Sequence, residues 1–221
     1  MKLYTTLILI GTAVVSGSSF ASDINSTSGW YVGGGVGKPS FDDGGFISDL
    51  GQEYSKNIHT SLDAKGTAFS IYGGYFFNRI IGIETSYNDY GSADINISGA
   101  APAPFADHNV SHDIKAFSPK SLSVSANLGY TFDNGLRPFV KLGVSALDLH
   151  QSGDVAILDS DSGPAGHYGI GLDYSPITAF QGLTLRVAYE GDITEIENTT
   201  IHKTESTWNM SMLYGGISYK F

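Results

Sequence analysis

Six histidines, one glycine-rich run and several acidic clusters are the residues of this 221-residue chain whose types could do chemistry. His108 and His112 stand four apart, a spacing that on a helix aims two imidazoles at one metal ion. Here they follow Ala101-Pro102-Ala103-Pro104 and flank no helical pattern, so no metal site is assigned. His150 and His167 lie at the ends of apolar segments. A hydrolase built on either would need a serine in a nucleophile elbow, and none is present, so both are read as water-exposed. The run Gly33-Gly34-Gly35-Val36-Gly37-Lys38 has the look of a phosphate loop. That loop requires Gly at the position of Val32 and Ser or Thr at the position of Pro39, and it fails at both.

Acidic residues gather at Asp42-Asp43, Asp154, Asp159-x-Asp161-x-Gly163, and Asp192 with Glu195 and Glu197. The Asp159–Gly163 spacing resembles the start of a calcium loop but lacks its further ligands and distal Glu. These clusters read as solvated loop faces. No cofactor signature and no catalytic constellation emerge, and the chain is read as non-enzymatic. The absence of Cys removes disulfides, thiolate metal sites and a cysteine nucleophile. A net charge of −10 excludes an electrostatic nucleic-acid binder.

The elements around these residues are strands. Residues 1–21 are set aside first. Met1-Lys2, an apolar stretch from Leu3 to Val15 and the Ser19-Phe20-Ala21 triplet form an export signal with a small-x-small cleavage site. The apolar stretch is shorter than the roughly 20 residues a spanning helix needs. Residues 22–221 are expected to form one domain.

Within that domain eight segments alternate apolar with small or polar residues, the period of a strand with two different faces. They run 29–38, 67–77, 81–90, 121–131, 139–149, 167–174, 183–190 and 212–221. The fourth sets Leu122, Val124, Ala126, Leu128 and Tyr130 against Ser121, Ser123, Ser125, Asn127 and Gly129. In a ligand-carrier barrel bathed in water the outer face would carry many Lys and Glu. Here the non-apolar face is mostly Gly, Ser and Ala, the filling of a narrow interior. The apolar face carries Trp30, Tyr75, Phe77, Tyr130, Tyr174 and Tyr219, as an interfacial girdle would. Short links at 78–79, 133–135 and 175–181 alternate with long polar ones at 39–66, 91–120, 151–166 and 191–206. This predicts an all-β, eight-stranded antiparallel up-and-down transmembrane barrel in a bacterial outer membrane, with the long loops outside the cell.

The segment Gly73-Gly74-Tyr75-Phe76-Phe77-Asn78-Arg79-Ile80-Ile81-Gly82-Ile83-Glu84-Thr85-Ser86-Tyr87 resembles the strand–turn–strand of the OmpA-like transmembrane domain. Gly29-Trp30-Tyr31-Val32-Gly33 and Leu185-Arg186-Val187-Ala188-Tyr189 are similar to that family's first and seventh strands. Ile217, Tyr219 and Phe221 resemble the assembly signal read by the barrel-insertion machinery. The resemblance implies a structural role in the envelope. It also implies contact with lipid and lipopolysaccharide, and loops that serve adhesion, host or phage contact. Because nothing follows Phe221 in this sequence, a wall-binding periplasmic domain is not expected.

Glu84, Lys141, Asp173, Arg186, Glu190 and Lys220 fall on the inward face. A lone charge there would cost several kcal/mol, so these are expected to pair. Glu84 and Arg186 stand where the OmpA-like family carries an interior carboxylate–guanidinium pair. Such pairs fill and polarise the interior. The alternatives are a narrow pore for ions or small solutes, and a lipid-modifying enzyme with a rim His and Ser in contact. The assembly reading yields one test. A chain ending at Lys220 should still be exported but should fail to insert, as judged by heat-modifiable mobility of outer-membrane fractions. Normal insertion would remove the signal from Phe221.

Overall fold

A computed structural model of the chain describes residues 28–45, 48, 58–100, 109–150, 162–175, 181–198 and 204–221. The export signal at 1–21, His108, Asp154, Asp159 and Asp161 lie outside the described residues.

Eight strands close a barrel: β1 (Gly29–Asp42), β3 (Ala68–Phe76), β4 (Ile81–Asp89), β7 (Lys120–Gly129), β8 (Leu136–Asp148), β9 (Ser162–Tyr174), β10 (Leu183–Asn198) and β11 (Thr204–Lys220). Each pairs antiparallel with the next barrel strand in the chain, and β1 pairs with β11 to close the ring. This is the expected up-and-down barrel. Its side chains are distributed in the reverse of a protein folded in water. Val36, Leu142 and Val144 are more than 60% exposed, whereas Glu84, Lys141 and Glu190 are at most 1% exposed. Lipid around the wall explains this inversion, because the outward residues then meet hydrocarbon.

Two aromatic rings bound the wall. Near the short turns Trp30 packs on Tyr75, Tyr75 on Phe77, Tyr130 on Phe132 and Tyr219 on Phe221, with centroids 5.0–5.3 Å apart. Toward the other end Phe69 meets Tyr87 and Tyr168 meets Tyr189. The short turns are closed locally. Asn78 Oδ1 accepts the Ile80 and Ile81 N–H groups, and Gly135 takes φ +83°.

The long links differ from the sequence reading. Links 39–66 and 91–120 contain β2 (Ile58–Lys65), β5 (Ser92–Ala100) and β6 (Asn109–Phe117), which pair as a separate sheet in the order β2-β5-β6. Link 191–206 is largely strand, since the β10–β11 ladder continues to Asn198↔Thr204. β9 likewise begins at Ser162, inside link 151–166. Beyond the membrane no face needs to be apolar, so these strands carry no lipid-facing alternation and read as loop. Backbone pairing sustains them, together with apolar contacts at the barrel's edge from Ala93, Ile95 and Phe117.

The inner face has room only where side chains are missing. A Cβ on Gly35 would come 2.4 Å from the Tyr214 ring and 2.8 Å from the Gly215 carbonyl oxygen. Gly35→Val should therefore displace Tyr214 and cost about 1–3 kcal/mol, the usual penalty of overpacking. A urea midpoint of the refolded variant equal to that of the parent would show that Tyr214 does not pack there.

Candidate functional site: the ion-paired lumen

The turn end of the lumen is closed by stacked planes. Tyr31 stacks on Phe76 at 4.4 Å, and the Arg137 guanidinium lies 4.5 Å from the centre of the same Phe76 ring. Above them Glu84 on β4 collects donors from four other strands. It accepts from Tyr31 Oη (2.6 Å, β1), Asn127 Nδ2 (3.2 Å, β7), Lys141 Nζ (2.7 Å, β8) and Arg186 Nη1 (3.0 Å, β10). Arg186 also grips Asp173 in a two-point contact, Nε to Oδ1 at 2.8 Å and Nη2 to Oδ2 at 3.1 Å. Its guanidinium lies between the rings of Tyr72 and Phe139, at 4.2 and 4.6 Å. Lys141 pairs in addition with Glu190, which also accepts the Tyr214 hydroxyl.

A second group lies toward the long-loop end. Asp192 accepts from Tyr90 Oη (2.5 Å) and Ser145 Oγ (2.7 Å), and His167 Nδ1 is 2.9 Å away. Ser70, Ser86, Asn88 and Ser123 fill the adjoining interior with their own hydrogen bonds. Beyond these, Phe117 and Trp208 meet edge to face at 5.4 Å over Met210 and Leu62.

Of the six inward residues named from sequence, the structure brings together Glu84, Lys141, Asp173, Arg186 and Glu190. Lys220 sits on the same face nearer the turn end of β11, level with Tyr31 and partly buried. Two readings are corrected and one further residue is added. Asp192 is not part of a solvated loop cluster, because β10 runs past Glu190 and turns its carboxylate inward, fully buried. His167 is not a water-exposed rim histidine. It is 1% exposed, on the inward parity of β9. Arg137 was missed because β8 begins at Leu136, before the first residue of the expected strand. His150 is exposed, near Asp148. Asp42 and Asp43 cap the N–H groups of Gly44 and Gly45. Ile217, Tyr219 and Phe221 all face outward, beside β1 and β10.

The chemistry available to this arrangement is charge satisfaction in a space without bulk water. Removing one partner of such a pair commonly costs about 3–5 kcal/mol. Arg186→Ala leaves Glu84 with Lys141 and Asp173 with Arg137, and Glu84→Ala leaves Lys141 with Glu190 and Arg186 with Asp173. Each single change removes one partner from two buried ions, so the two should destabilise similarly. A double-mutant cycle of Glu84→Ala and Arg186→Ala should show coupling of about 0.5–3 kcal/mol in urea unfolding. Zero coupling would mean that the two side chains do not meet.

Comparison with known proteins places the fold. Outer membrane protein A of Escherichia coli O157:H7 is 22% identical over 216 residues, covering 98% of this chain and 54% of that protein. The chain spans about half the length of the curated relatives it matches. Among solved structures, the outer membrane protein OprG of Pseudomonas aeruginosa superposes with a TM-score of 0.50 at 14% identity, covering 90% of this chain and 98% of OprG. The outer membrane protein AlkL superposes with a TM-score of 0.53 at 16% identity, covering 94% and 97%. The family model described as "Outer membrane protein beta-barrel domain" matches residues 7–221. With the closed eight-stranded wall and its lipid-facing residues, that match makes the chain a member of the outer-membrane β-barrel family, of OmpA-like type and located in the bacterial outer membrane.

Proposed function

We propose that this protein is a non-catalytic, non-conducting scaffold. It supports the integrity of the outer membrane and holds extracellular segments for adhesion, host or phage contact. The observation that carries this reading is the filled lumen. Arg137, Glu84, Lys141, Arg186, Glu190, His167 and Asp192 are all 5% exposed or less. Glu84, Lys141, Arg186 and Glu190 interlock in one cluster, His167 and Asp192 pair in a second, and Arg137 lies over Phe76 beside Asp173. An ion crossing this interior would have to break several charge-assisted bonds at once. The display role is supported by the β2-β5-β6 sheet, which the barrel carries on its long-loop side. Binding residues gather on such segments when a rigid scaffold positions them. Outward contacts would be with lipid and with the acyl chains of lipopolysaccharide.

The test is electrical and adhesive together. Refolded protein in planar bilayers should give no unitary current steps above baseline. Cells displaying the protein should lose binding to matrix proteins or phage when residues 91–120 are replaced by a short turn that leaves the barrel folded. Reproducible steps that grow on Arg186→Ala would replace this reading with the narrow pore.

A further inference from the structure

The outer half of the lumen holds a group whose polar atoms the filling of the lumen does not by itself satisfy. The Asp192 carboxylate can only accept hydrogen bonds, so His167 Nδ1, at 2.9 Å from it, must carry a hydrogen. That leaves Nε2, which is buried and lies 3.9 Å from Glu190 Oε2. Among the described residues neither of these two atoms has a hydrogen-bond partner. With the hydrogen on Nδ1 alone, Nε2 and Oε2 are two acceptors facing each other. With it on Nε2 alone, the same conflict moves to Asp192. Neither neutral tautomer suits both contacts; the imidazolium donates to Asp192 and faces Glu190 Oε2 as an ion pair at 3.9 Å.

The charge count leads to the same place. Among the described residues the buried carboxylates are Glu84, Asp173, Glu190 and Asp192, and the buried fixed cations are Arg137, Lys141 and Arg186. One positive charge is lacking among these enclosed groups; Lys220, at the turn end of the same face, is only partly buried, and His167 is the fully buried residue able to supply it. The groups around it are Lys141 and Ser145 from β8, Glu190 and Asp192 from β10, Tyr90 at the end of β4 and Tyr214 from β11. The ring thus lies between two carboxylates, and Lys141 is already engaged by Glu84 and Glu190.

We propose that His167 is a proton-binding site: its ring takes a second proton from water at Nε2 and bridges Asp192 to Glu190. The bridge joins the outer hydrogen-bond group to the ion pairs below. It matters beyond the lumen because Asp192 also holds Tyr90, the last residue before Gly91 (φ +78°) and the β5–β6 hairpin. The bridge holds only while both ring nitrogens carry a hydrogen; with one hydrogen gone, Nε2 and Glu190 Oε2 face each other as two acceptors. The root of the hairpin then opens more often.

The test uses the refolded full chain in lipid nanodiscs. Nitrogen-15 spectra assigned to His167 should show both ring nitrogens protonated at mildly acidic pH. As that signal is lost on raising pH, amides around Tyr90 should exchange about tenfold faster than the intrinsic pH effect explains, as expected for one buried bond lost. His167→Gln should remove this pH step while leaving the barrel folded. A ring with a single protonated nitrogen throughout roughly pH 5 to 8, for example one bridged to Glu190 by water, overturns the proposal. So does a pH step that survives in His167→Gln. The parent spectrum decides the matter even if the variant does not refold.

Discussion

A carboxylate enclosed where water cannot follow must find its counter-charges in the same enclosure, and Glu84 is where this barrel meets that demand. Its two oxygens draw a phenol, an amide, an ammonium and a guanidinium from β1, β7, β8 and β10. Five of the eight barrel strands thus converge on one side chain. Because side chains alternate across a strand, a one-residue slip in any of them would turn a partner out of the lumen. Slipping β4 or β10 would place a charge against hydrocarbon, at a cost of about 2–4 kcal/mol near the bilayer midplane for a cation. The ion pairs therefore act as register pins. Their value lies less in net attraction, which desolvation largely offsets, than in the cost of every alternative pairing.

That constraint explains what the rest of the inner face contains. Lys141, Arg186 and Tyr214 occupy much of a narrow cross-section, so their neighbours must be small. Gly169 lies against Lys141 and Glu190, and Gly171 faces Phe139 and Ala188. Glycine weakens an isolated strand, but here it yields space to large side chains on adjacent strands, and closure of the ring supplies backbone bonds on both sides. The outer face is under the opposite demand. Lipid accepts any apolar side chain, so its residues vary freely among Val, Leu, Ile and aromatics.

These two demands also decide what could be read from the sequence. Wherever a strand has lipid on one side and the lumen on the other, alternation was visible, and strand number, order and inward parity of Glu84, Lys141, Asp173, Arg186 and Glu190 were legible. Where a strand leaves the membrane the outward demand disappears, and β2, β5, β6 and the outer parts of β10 and β11 carried no such signal. The missed members of the lumen follow from this. Asp192 lies one inward step beyond Glu190, past the last lipid-facing alternation used to end the strand. Arg137 lies before Phe139, ahead of Pro138, which reads as a strand boundary. His167 had the inward parity of its strand, but its type suggested a rim residue. Extending parity by two positions at each strand end would have found Asp192 and Arg137, and trusting parity over residue type would have found His167.

The same division separates what in this molecule can change from what cannot. The hairpin β5–β6 is rooted by Tyr90 on Asp192, by Asp89 with Lys120 at 3.6 Å, and by Phe117 on Trp208. β2 is tied to it by Lys65 with Asp94 at 3.3 Å. These anchors lie at the barrel's edge, whereas among the described residues the segments between them make no contribution to the Glu84 cluster. Substitutions there leave the register pins untouched. A barrel locked from within, by charges that have nowhere else to go, can thus carry external segments whose sequences answer to their partners and not to the fold.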